Sequence, residues 1–284
     1  MSRTSRRKLL SALFIAFCAL SVLVALVPLT LILFFVVSQG VQSLNLSFFT
    51  RMPVPVGEPG GGMGNAVLGS LELIALACVI GLPVGVGAGL YLSEVATGWP
   101  ARAVRFTADV LGGVPSITIG VFVYAFVVVS MHRFSAIAGA IALAAVMIPT
   151  VTRTSEELLR LVPDHLREAA LGLGVPSYRV TLHVVLRTAL PGVGTGIMLA
   201  VARIAGETAP LLFTAFNNRD VSFAVDRPIA SLPVQILTYA TSPYKDWQDQ
   251  AWTGALVLVA LVFVLNLSAR IAAARRVEIG GPRR

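Results

Sequence analysis

Residues 9–37, LLSALFIAFCALSVLVALVPLTLILFFVV, decide the fold, because 29 positions pass without one charged side chain. A bilayer core about 30 Å thick needs about 20 apolar residues in a helix, so this segment is long enough to span it. Arg3, Arg6, Arg7 and Lys8 precede it and would also suit the positive end of a secretion signal. The apolar part of such a signal runs to only about 7–15 residues, and the segment is read as a retained helix.

Working outward, runs of the same kind recur at about 68–92, 112–130, 135–151, 191–215 and 252–271. The expectation is an all-α membrane protein of about six transmembrane helices, with 1–284 forming one transmembrane domain. Composition agrees: 56% of residues are hydrophobic, 13% charged, and the mean hydropathy is +0.83. Soluble proteins carry about 25% charged residues. The second run is interrupted by Gly81, Pro83, Gly85, Gly87 and Gly89, and the third opens on Gly112, Gly113 and Pro115. Such residues are tolerated in a span where neighbouring helices pack closely or re-satisfy the backbone.

Orientation follows from the basic residues. With the N-terminus inside and six spans, the inner segments hold 16 Lys and Arg against five outside, leaving Arg203 within a span. Positive charge gathers on the cytoplasmic side, so both termini are expected there. This also accounts for the net charge of +8 without any nucleic acid. Cys18 and Cys78 fall inside apolar runs and read as small apolar side chains; two such residues build neither a disulfide framework nor a metal site. The Gly-rich stretch 57–64 reads as a flexible outer connection.

Catalytic motifs are missing. No Lys follows a Gly as a Walker A loop requires, since Lys8 follows Arg7 and Lys245 follows Tyr244. There is no G-x-S-x-G, and none of His132, His165 or His183 begins H-E-x-x-H. No cofactor is read from the sequence, and any energy source is expected on another chain.

Two segments depart from the apolar pattern. The inner connection 152–187 is long and of mixed charge, which marks functional or internally structured loops. Pro163 suits a first helical position, Asp164 the first turn, and Gly174 with Pro176 a stop, so a helix is expected over 163–173. Two uses fit it: an amphipathic helix on lipid headgroups, or a helix inserted into a partner's groove. The low bulk of Ala169, Ala170, Gly172 and Gly174 suits the groove. Glu168-Ala169-Ala170, three residues, then Gly174 resembles the E-A-A-x-x-x-G motif of ABC importer permeases. The resemblance implies the type I importer fold and a coupling helix, carrying Glu168, Ala169, Ala170 and Gly174, that docks on an ATP-hydrolysing subunit. Arg187 stands where the family pattern ends in proline, with Leu190-Pro191 just beyond.

The second segment is Arg203-Ile204-Ala205-Gly206-Glu207-Thr208-Ala209-Pro210. Arg203 lies 12 residues past Pro191, about 18 Å along a helix, where an unpartnered arginine costs at least about 2.5–3.5 kcal/mol. Glu207 at i+4 can neutralise it. A structural ion pair between helices is one reading. Gly206 and Pro210, which loosen the helix, favour a polar pathway for an anion. The segment resembles the R-x-x-G-E-T-A-P-L signature of phosphate-specific ABC permeases. Gly112-Gly113-Val114-Pro115-Ser116-Ile117, Ala230-Ser231-Leu232-Pro233-Val234 and Ser242-Pro243-Tyr244-Lys245-Asp246-Trp247-Gln248 match the same group, so the resemblance covers most of 62–267.

It implies phosphate as substrate, Arg203 and Glu207 in the translocation pathway, and a place in the cell membrane. The implied partners are a second, paralogous permease subunit, a pair of ATP-binding subunits and an external phosphate-binding protein. A stand-alone anion channel or secondary transporter is the rival; it would use the Arg/Glu pair but not the inner helix. Glu72, one turn into the second run, reads as an interface residue.

Overall fold

A computed structural model describes residues 3–55, 58 and 60–279. Arg283, Arg284 and part of the 57–64 connection lie outside these. Eleven helices and no strand occur among the described residues: α1 (Arg3–Gly40), α2 (Leu46–Thr50), α3 (Gly64–Glu94), α4 (Gly98–Gly113), α5 (Ser116–Met131), α6 (Ala136–Arg160), α7 (Asp164–Gly172), α8 (Ser177–Ala205), α9 (Ala209–Leu212), α10 (Leu232–Ala240) and α11 (Lys245–Ile279). Five are long and apolar enough to cross a membrane; α4 and α5, bent by 103°, make a sixth if taken as one span. The chain is a multi-pass membrane protein.

The bundle is built on α3 against α6. Gly81, Gly85 and Gly89 recur every four residues and therefore share one helix face. A Cβ added to them would stand 2.9, 2.8 and 2.5 Å from Met147, Val151 and Ser155, so the groove they form is filled by α6. Gly87 points away, into open space. Leu73, Ala77, Leu143, Met147, Val201 and Ile204 close the core between α3, α6 and α8. By contrast α1 is apolar all round, only 6% of its most apolar window is buried, and it joins the bundle at its C-terminal end, where Thr253 Oγ1 donates to the Gly40 carbonyl at 3.0 Å.

The connection between α9 and α10 is structured. Its carbonyls at Thr214, Arg227 and Val225 accept from the N–H groups of Ser135, Ala136 and Ile137, satisfying the first donors of α6. The Ser70 hydroxyl accepts from the Leu232 N–H at 2.7 Å and pins the start of α10 to α3.

Four boundaries differ from the sequence reading. Helix α6 does not stop at 151 but runs to Arg160, and α8 starts at Ser177 rather than 191, so the inner connection 152–187 is mostly helix. Hydropathy ends a span where charge begins, whereas backbone hydrogen bonding continues into water. The run 191–215 is not one helix: α8 ends at Ala205, and α9 is a separate turn. The 112–130 run begins at the 103° bend across Gly113–Ser116, with Pro115 as the N-cap of α5.

Candidate functional site

Helix α8 terminates because its last donors turn back early: the Gly206 N–H bonds the Arg203 carbonyl and the Glu207 N–H the Ile204 carbonyl, both at 3.2 Å. Pro210 supplies no N–H to the Gly206 carbonyl, so α8 cannot run on through it, and α9 starts afresh at Ala209 with Pro210 in its first turn. The Pro210 carbonyl is satisfied by the buried Thr214 hydroxyl at 2.8 Å. Helix α5 lies close: a Cβ on Gly120 would come within 2.6 Å of Pro210 Cα. Helix α9, which follows the broken stretch 206–208, is thus wedged against α5, and Arg203 stands in the last turn of α8.

The pair read as lying on one helix is therefore split by the helix end. Glu207 sits beyond the cap residue Gly206, and the two charges still meet, Arg203 Nε to Glu207 Oε1 at 3.8 Å. That distance makes an ion pair but no hydrogen bond. Among the described residues Arg203 donates no hydrogen bond, and its side chain is 49% exposed against 19% for Glu207. A guanidinium with unused donors at a helix break is free to take a ligand oxygen.

The second site lies at the opposite, charged end. Pro163 is the N-cap of α7 rather than its first residue, and Asp164 occupies the first turn. Gly174 adopts φ +77°, a left-handed conformation that glycine takes at little cost. Its N–H bonds the Leu171 carbonyl, and the Val175 N–H bonds the Ala170 carbonyl, closing the helix. No residue of α7 is buried. Glu168, Ala169, Leu171 and Gly174 are exposed, while Leu166 and Ala170 touch the inner cluster around Leu159 and Val185. Glu168 has no partner among the described residues.

Beside α7 stands a cluster that sequence reasoning missed. Glu156, 3% exposed, accepts from Arg105 at 2.6 Å and Arg153 at 3.2 Å and forms an ion pair with Arg160 at 2.9 Å. Arg153 also forks onto Asp109, at 2.8 and 2.7 Å. The spacing Arg153, Glu156, Arg160 places all three on one helix face and could have revealed it; these arginines were read only as a tally of inner charge. Glu72 is half-buried and has no ion pair or hydrogen bond among the described residues.

A spanning bundle with one exposed helix at its charged end and an open arginine at a broken span has the build of a transporter's membrane subunit. Residues 81–277 match the family "Binding-protein-dependent transport system inner membrane component". The phosphate transport system permease protein PstA of Yersinia pestis is 48% identical over 246 residues, 86% of this chain and 83% of that protein. PstA of Xylella fastidiosa is 46% identical over 93% of each chain, and PstA 1 of Mycobacterium tuberculosis 37% identical over 96% of this chain and 91% of its own. In fold, a chain of the MetNI methionine ABC transporter in an inward-facing form is similar at TM-score 0.62 and 20% identity, over 75% of this chain and 96% of that one. The chain belongs to the binding-protein-dependent inner membrane permeases and, within them, to the PstA family.

Proposed function

We propose that the chain forms half of the phosphate pathway of an ATP-driven importer. A PstC-type permease supplies the other half, a pair of ATP-binding subunits docks beneath, and an external phosphate-binding protein delivers the ligand. Both termini face the cytoplasm. The observation that carries this reading is the contrast between arginines: those of the inner cluster are held by carboxylates and carbonyls, whereas Arg203 meets one carboxylate at 3.8 Å and keeps its donors free. Arg203 binds a phosphate oxygen in passage, and Glu207 balances the guanidinium between passages and so prevents tight retention. The exposed surface of α7, with Glu168 and Ala169, and Gly174 just after it enter the ATP-binding subunit, while Ala170 seats the helix on the bundle. ATP-driven closure of those subunits then displaces α7 and opens the bundle alternately to either side.

The test is reconstitution in two forms. The complex isolated with its attached chains should move radiolabelled phosphate only with ATP, and the purified chain alone should move none. Phosphate flux through the chain alone would identify a channel or secondary transporter instead.

A further inference from the structure

If α7 receives the stroke of an ATPase, something must carry its displacement into the spanning helices. The covalent route is poor: three residues, Leu161, Val162 and Pro163, separate α6 from α7. The apolar route is thin, since only Leu166 and Ala170 of α7 pack against the inner cluster. Arg167 is the exception. Its side chain is 18% exposed, and each of its donors is used. Nε and Nη2 fork onto the two oxygens of Glu94, at 3.3 and 2.9 Å. Nη2 also bonds the Leu159 carbonyl at 3.0 Å, and Nη1 bonds Asp164 Oδ1 at 2.9 Å and the Val162 carbonyl. A guanidinium has five N–H donors, and all are spent here.

These bonds reach three elements. Glu94, with a side chain 9% exposed, ends α3, while Leu159 and Val162 belong to the end of α6 and the turn after it. From α3 the connection continues, because the Leu92 carbonyl two residues before Glu94 accepts from Arg105 of α4 at 3.3 Å and from Arg160 of α6 at 3.4 Å. Both of those arginines hold Glu156. Four guanidinium groups, Arg105, Arg153, Arg160 and Arg167, thereby face four carboxylates, Glu94, Asp109, Glu156 and Asp164. The cluster is neutral and joins the inner ends of α3, α4, α6 and α7. The hydrogen bond to Glu94 also holds the Arg167 guanidinium above its ordinary range.

We infer that Arg167, through its fork onto Glu94, is the positioning residue that ties the coupling helix to α3 and delivers α7 displacement to the bundle. The inference rests on the importer reading above. It makes α3 the driven helix: α6 fills the glycine groove of α3, so a push at Glu94 is passed along the most tightly packed helix pair of the fold. With the fork cut, α7 still docks on the ATPase through its exposed face, but its movement is absorbed in the turn 161–163.

The experiment uses the whole complex in vesicles with the binding protein and inorganic phosphate, measuring ATP hydrolysed and phosphate transported together. Glu94→Gln, Arg167→Gln and the double variant should each raise ATP consumed per phosphate by about tenfold, with the double no worse than the worse single, because all three cut one link. Arg167→Lys, which keeps the charge but has three donors and no planar fork, should uncouple as well. Should Arg167→Gln fail to accumulate, Glu94→Gln carries the test, since it leaves Arg167 its carbonyls and Asp164. A ratio within about twofold of the parent overturns the inference, as does a proportional fall of both rates, which marks a merely structural clamp. Failure of the importer reading is distinct: the parent complex itself would then not link ATP to phosphate movement.

Discussion

Replacing Arg203 by glutamine removes the one guanidinium left open at the break in α8. Two unit charges at 3.8 Å attract by about 4 kcal/mol at an effective dielectric of 20. Half exposure of the arginine reduces the net worth of such a pair to about 1 kcal/mol or less. The variant should therefore insert and assemble at levels within about fivefold of the parent. Transport is another matter. A charge-assisted hydrogen bond is worth about 1.5–3 kcal/mol, so losing a forked pair to a phosphate predicts uptake down by about a hundredfold or more. Glu207→Gln should also lower uptake, because nothing then competes with the bound anion for the guanidinium. The double variant removes both charges but restores no donor and should stay low. The assay is radiolabelled phosphate uptake normalised to the amount of assembled complex for all three variants. Recovery of uptake in the double variant would mean that the pair is structural and that the anion path lies elsewhere.

Three further outcomes are expected. Glu156→Ala leaves three arginines facing a position vacated by a carboxylate that is 3% exposed, and should destabilise the protein by about 3 kcal/mol or more, read as a lower Tm of the solubilised complex; an unchanged Tm refutes the clustering argument. Gly174→Ala should cost about 1 kcal/mol because φ is +77° there, with uptake largely kept, whereas Gly174→Trp and Glu168→Lys should cut co-purification of the ATP-binding subunit and uptake by about tenfold; normal values for the last two would remove α7 from the docking surface. A cysteine at the exposed position Asp220 should react with an impermeant thiol reagent added outside, once any outer envelope is opened, and a cysteine at His165 should not; the reverse pattern inverts the topology.

The spans were legible because the bilayer imposes one requirement, about 20 apolar residues, that composition meets or fails outright. The break in α8 was legible in part: Gly206 and Pro210 announced loosened backbone, but only the structure shows the chain leaving the helix before Glu207, which changes an i+4 pair along a helix into a contact across its end. The inner charge cluster was not legible, although Arg153, Glu156 and Arg160 stood at helical spacing, because Arg105, Asp109 and Glu94 reach it from other helices and sequence distance hides them. The same physics explains both sites. An arginine at the membrane edge can be saturated, as Arg167 is by two carboxylates and two carbonyls, and then it fixes geometry. An arginine inside a span that stays unsaturated incurs a desolvation cost that folding alone gives no reason to retain. Arg203 belongs to the second kind. Its free donors, more than its position in the chain, are what support the proposed contact with a passing anion.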